Sequence, residues 1–296
     1  MISKPHSGRT SRFSRASELS GLVLQERDRQ ILSACYQYRY LTRAHIQRLF
    51  GVNCVTRINA RLRKLFDHRF LDRRFPPTRT GSAEALYLLG PNGPAIVADQ
   101  LGLNAQEVAR IRQLNLKIKE SMLTHDLAVN DLRISITTEI ERDPRCQLVR
   151  WSDPRECEQR FELTKGSTRI VTTLKPDGFF QVNYLNRLYS FFVEMDLSTS
   201  GHAALDEKFN RYRQFKMLGL SQEAFSVQNF YVLVITKSAG RCEHLKDLVE
   251  KNPSDLFWLA NADDLRSAPL TANAWWRSGQ TGCRSIFKPH HDQEKS

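Results

Sequence analysis

The sequence predicts an α/β protein in two parts, a small helical domain closed by a β-hairpin and a larger domain built around a central mixed sheet. Three observations predict it. Residues 23–68 carry helical apolar spacing, and two short strand-like runs around a Pro/Gly/Ser-rich turn follow. Beyond residue 146, short β-branched and aromatic runs are interrupted late by two helical patterns. Charge is also segregated: residues 1–80 hold 17 Lys/Arg against 5 Asp/Glu, and residues 81–296 hold 27 against 27, so the N-terminal quarter carries the whole net charge of +12.

Residues 1–20 are polar and Arg/Ser-rich, with too few apolar groups to offset ordering entropy, and are expected to form a flexible basic arm. The domain over 21–92 begins with "LQERDRQILSACYQY", which puts Ile31, Leu32, Cys35 and Tyr36 on one helical face. In "LTRAHIQRLFG", Thr42 is the expected N-cap and Gly51 the stop of a second helix. The third helix, "VTRINARLRKLFDHRF", aligns Val55, Ile58, Leu62, Leu65 and Phe66 as a core stripe. Arg57, Arg61, Lys64 and His68 recur on another face at steps of four, three and four, with no acid in that stripe.

"FLDRRFPPTRTGSAEALYLLG" then reads as strand, basic turn with Arg79, and strand. Three helices followed by a hairpin make a winged helix-turn-helix, whose third helix enters a major groove while the hairpin touches the flanking backbone. Clustered cations gain by releasing counterions from phosphates, so double-stranded DNA is the expected partner. Arg57, Arg61, Lys64, His68 and Arg79 are its candidate contacts. A merely solvated charged face is the competing reading.

"GPNGPAIVADQLGLN" punctuates the chain, and a connecting helical linker is expected over 93–115. The second domain, 116–266, opens with a helix containing His125 and Asp126, which are either an ordinary partly buried pair or groups that orient water or metal. Its strands are "QLVRW", "TRIVTTL", "GFFQVNY", "LYSFFVEMDL", "FYVLVITKS" and "LFWLAN", with "AALDEKFNRYRQFKML" and "RCEHLKDLVEKN" as helices. The continuous apolar "SFFV" marks a central strand covered on both faces. Trp151 and Trp258 are expected in the core, "WW" at 275–276 is either packed or exposed, and 267–296 is expected to be a C-terminal tail.

Three carboxylates stand out. On a strand Glu194 and Asp196 point to the same face, while Asp177 sits between Pro176 and Gly178 in a turn-like "KPDG". Acids gathered at a sheet edge repel one another unless a hard cation, Mg²⁺ or Mn²⁺, or neighbouring Lys175, Lys208 or Arg211 neutralises them.

"PDG" at 176–178, "VEMD" at 193–196 and the following helical "EKFNRY" resemble the core of the PD-(D/E)XK phosphodiesterase superfamily, which has a restriction-endonuclease-like fold. With the N-terminal pattern, "YLLGPNGPAIV" and "HDLAVNDLRI", the chain resembles the bacterial replication-relaxation family of plasmid and mobile-element proteins over most of residues 25–265. The resemblance implies Asp177 and Glu194 as metal-binding acids, with Asp196 beside them. Its pattern wants Lys two residues after the second acid, where this chain has Asp196; Lys208 on the next helix is the candidate migrated lysine, with Tyr212 one turn beyond.

The implied catalytic set is therefore Asp177, Glu194, Asp196 and Lys208. Two function classes stay open: a metal-dependent endonuclease or nickase, and a non-catalytic regulator or replication accessory in which the nuclease-like domain serves for DNA contact or as a homodimer interface.

No Walker, Rossmann or G-x-S-x-G pattern is present, which removes support for NTP-driven and serine-nucleophile chemistry. The six cysteines lack C-x-x-C spacing and read as packing residues of a reducing, cytoplasmic protein, and the apolar runs are too short for a membrane span.

Overall fold

The computed structural model describes residues 11–77, 83–117, 119–165, 168–197 and 201–288. The chain divides after Asn130 into two compact units.

The first unit begins with α1 (Glu26–Gln37), β1 (Leu41–Thr42), α2 (Arg43–Phe50) and α3 (Val55–Asp67). Thr42 accepts the His45 N–H at 3.1 Å, and Gly51 ends α2 with a left-handed φ of 61°, as the sequence requires of a cap and a stop. Ile58, Leu62, Leu65 and Phe66 bury the inner face of α3. Val55, expected in that stripe, is 45% exposed, because the first turn of α3 projects past the core. β2 (Leu71–Arg74) and β3 (Leu86–Leu89) join β1 in an antiparallel sheet of order β1-β3-β2.

The boundaries differ from the sequence expectation, and the division falls after Asn130 where the second domain is expected from 116. The segment 93–115 forms α4 (Pro94–Leu101) and α5 (Ala105–Leu116), which belong to the first unit instead of linking it to the next. Val97 and Val108 are wholly buried, Arg112 donates to the Leu89 carbonyl at 2.9 Å and to Asp72 at 2.7 Å, and Ser33 donates to Gln100. Apolar spacing reads alike for a bridging helix and a packed one.

Residues 11–20, expected to be flexible, lie against α3 and β2. Arg15 pairs with Asp72 and stacks on Phe66, Arg63 donates to the Ser11 and Ser14 carbonyls, and Phe13 meets Phe75 edge-on. A few anchoring side chains suffice where average composition is polar.

The helix α6 (Glu120–Arg142) crosses the division between the units. The second unit continues through β4 (Cys146–Ser152), the short α7 (Pro154–Cys157), β5 (Gln159–Lys165), β6 (Thr168–Leu174), β7 (Gly178–Tyr184) and β8 (Arg187–Asp196). It then runs through α8 (His202–Met217), α9 (Leu220–Phe225), β9 (Tyr231–Thr236), α10 (Ala239–Glu250), β10 (Phe257–Asn261) and β11 (Trp276–Arg277).

Six strands form a mixed sheet of order β11-β10-β9-β8-β7-β4. β4, β7 and β8 are antiparallel neighbours, β8, β9 and β10 run parallel, and β11 returns antiparallel. β5 and β6 pair apart from it. The apolar run in β8 sits in the middle of the sheet, buried from Ser190 to Asp196. Phe192, Val232, Val234 and Phe257 pack against Phe209, Tyr212 and Phe215 of α8 and Leu245 and Val249 of α10.

The C-terminal segment is part of this unit and not a separate tail: Trp275 is buried with its indole N–H on the Pro269 carbonyl, and Trp276 extends the sheet as β11. Trp151, half-buried, stacks on Phe180 at 5.3 Å. No helix among the described residues is long and apolar enough to cross a membrane.

Candidate nucleic-acid interface and buried carboxylate cluster

On α3, Arg57 and Lys64 are exposed and make no ion pair among the described residues. They lie seven residues apart, two turns along one face and ~10 Å along the axis. Arg61, between them in the sequence stripe, is committed elsewhere. Its Nε donates to Asp28 Oδ1 at 2.7 Å, its Nη2 donates to both the other Asp28 oxygen and the Val23 carbonyl, and Asp28 is 1% exposed.

Asp28 also accepts the Gln25 N–H at the start of α1, so Arg61 ties α3 to that helix end. The acid missing from the stripe is supplied by another helix, a non-local pairing that the α3 sequence does not record. His68 caps the C-terminus of α3, with Nε2 at 2.7 Å from the Ser20 carbonyl oxygen. Arg79 lies outside the described residues.

His125 and Asp126 belong to the first unit. Asp126 accepts from the Tyr40 hydroxyl at 2.9 Å and from Arg39 at 3.1 Å. Burial pushes its carboxyl up, but bonding to His125, Arg39 and Tyr40 outweighs this and leaves it below the usual range.

The second unit places Asp177, Glu194 and Lys208 near one another, where β7 begins and β8 ends. The Asp177 N–H donates to the Val193 carbonyl, and its Oδ2 accepts the Met195 N–H at 2.8 Å, which locks the turn onto β8. Glu194, 5% exposed, takes the Lys208 ammonium on Oε2 and the Tyr212 hydroxyl on Oε1 at 2.5 Å. Lys208 and Tyr212 are four residues apart and share the face of α8 packed on the sheet.

Burial raises the Glu194 carboxyl to about 7, with the Asp177 charge adding to it, although Lys208 and Tyr212 pull the other way. Lys208 is pulled down by burial, but the charges of Glu194 and Asp177 prevail and leave it raised, so it keeps its proton.

Asp196 has a different partner. Its Oδ2 accepts Arg241 Nε at 2.6 Å from the first turn of α10, and both side chains are largely buried. Both Glu194 oxygens face donors and Asp196 faces a guanidinium. Among the described residues no three His, Cys, Asp or Glu side chains are grouped to hold a metal ion.

Sequence reasoning missed Asp28 and Arg241. Each lies more than thirty residues from its partner, and no local spacing reports the pairing. The six cysteines are unpaired thiols; Cys35, Cys157 and Cys242 are buried, and Cys54 and Cys283 are exposed.

No curated protein and no solved structure shows significant similarity to this chain. A family model described as replication-relaxation matches residues 32–227, more than half of the sequence, from the middle of α1 through α9. The chain belongs to the replication-relaxation family.

Proposed function

We propose that this protein binds double-stranded DNA in plasmid or mobile-element replication or relaxation, through a winged helix in its first unit. The observation that carries the reading is the exposed Arg57–Lys64 face of α3 within a family named for replication and relaxation. The order α1-β1-α2-α3-β2-β3 with its three-stranded antiparallel sheet supports the winged-helix assignment. Arg57 and Lys64 meet phosphates or base edges, and Arg61 holds α3 at its angle instead of meeting DNA.

The second unit is read as restriction-endonuclease-like. The antiparallel β4-β7-β8, with α7 and the β5–β6 pair inserted after β4, followed by α8 and parallel β9, supports that reading. Its role in this reading is non-hydrolytic, because the acids are already matched by internal donors. Metal-dependent nicking is the second reading, favoured by the meeting of Asp177, Glu194 and Lys208 in one place.

The test is fluorescence anisotropy of a labelled duplex with the full chain across a salt series. Binding that weakens steeply with salt is expected; no binding at about 50 mM salt would overturn the reading. Incubation of supercoiled plasmid with Mn²⁺ separates the two roles of the second unit, since nicked circles lost with Glu194→Gln would establish hydrolysis.

A further inference from the structure

We propose that the segment 11–15 is a docked part of the DNA interface, in which Arg12, seated over Phe13 and Phe75, meets a phosphate beside the end of β2. The inference rests on the DNA-binding reading of the first unit and adds to it a contact outside α3.

The segment is anchored to both α3 and β2. Arg15 pairs with Asp72 at 2.6 Å, donates to the Leu71 carbonyl and stacks on Phe66. The Ala16 N–H donates to Asp67 at 3.0 Å, and Arg63 donates to the Ser11 and Ser14 carbonyls. The arginines beneath it are drawn inward: Arg63 to Asp67, Arg15 and Arg112 to Asp72, and Arg73 over Phe66 at 3.7 Å.

Arg12 is held the other way. It is exposed, and its guanidinium lies 4.8 Å from the Phe13 ring centroid and 4.5 Å from that of Phe75. The two rings meet edge-on at 5.0 Å, and Phe13 stays 65% exposed, so this ring backs a surface cation instead of filling a core. Rings against the face of a guanidinium leave its in-plane N–H groups for a phosphate. Charge names the partner. Residues 1–17 contain Lys4, Arg9, Arg12 and Arg15 and no Asp or Glu, so their complement is a polyanion.

The experiment follows duplex binding by fluorescence anisotropy across a salt series for the full-length native chain, Arg12→Ala, Phe13→Ala and Phe13→Tyr. Arg12→Ala is expected to lose roughly 1 from the slope of log affinity against log salt. Phe13→Ala keeps every charge and is expected to weaken binding about 2- to 5-fold at fixed salt, whereas Phe13→Tyr keeps the ring and should bind like the native chain. Both side chains are exposed, so the thermal midpoints are expected to match the native one. A native slope in Arg12→Ala, native affinity in Phe13→Ala, or a Phe13→Tyr as weak as Phe13→Ala would overturn this proposal alone. A native chain that binds no duplex at about 50 mM salt would overturn the DNA-binding reading and this one with it.

Discussion

The Arg57–Lys64 face of α3 and the acidic end of β8 are both charged, but they are built oppositely. On α3, Arg57 and Lys64 project into solvent without ion pairs among the described residues, whereas Arg61 is drawn inward to Asp28 and His68 meets the Ser20 carbonyl. At β8 every carboxylate meets a donor from another element: Glu194 from α8, Asp196 from α10, and Asp177 from the β8 backbone. An exposed cation costs little to leave unmatched and stays available to a polyanion, whereas a buried carboxylate needs a partner at once. The first arrangement suits binding a ligand from outside, and the second suits charge balance within the fold.

The largest effect is expected where that balance is broken. Lys208→Met leaves Glu194 buried beside Asp177 and should cost about 3–5 kcal/mol in denaturant unfolding at pH 8, less at acid pH where Glu194 takes a proton. Arg61→Gln leaves Asp28 buried without its guanidinium and should cost about 3 kcal/mol, the lower end because Arg61 is partly exposed. An unchanged midpoint would place Arg61 with Arg57 and Lys64 after all.

The pH dependence sharpens the contrast. Because the folded state raises Glu194 to about 7, the native chain binds more protons there than the unfolded chain. This stabilisation is full below the unfolded carboxyl value and is lost as pH rises towards 7. Glu194→Gln should flatten that fall between about pH 4.5 and 7, and an identical slope in native chain and variant would contradict the assignment. The smallest effect is expected from Thr42→Ala, which removes the α2 cap at a cost of about 1 kcal/mol.

Local grammar made much of this readable. Thr42, Gly51 and the α3 stripe are within-helix signals, and alternating or continuous apolar runs located β4 and β6–β10. The acids and their lysine were legible because the resemblance placed Asp177, Glu194 and Lys208, and the fold brings those three together.

What escaped were pairings over long separations. Asp28 takes Arg61 out of a stripe that looked uniformly cationic, and Arg241 takes Asp196 out of an acid trio. Arg15 with Asp72 binds an arm whose composition looked too polar to order, and Trp276 adds a strand from what looked like a tail. A stripe or cluster drawn from one segment omits the partners that other segments supply.

The most direct test of the contrast is the salt dependence of duplex binding by three full-length proteins: the native chain, Arg57→Ala with Lys64→Ala, and Arg61→Gln. Each phosphate contact releases roughly one counterion, so the double variant should lose roughly 2 from the slope of log affinity against log salt. Arg61→Gln, assayed below its lowered melting temperature, should keep the native slope. A native slope in the double variant, or an equal loss in Arg61→Gln, would contradict the division between outward-facing and internally matched charge.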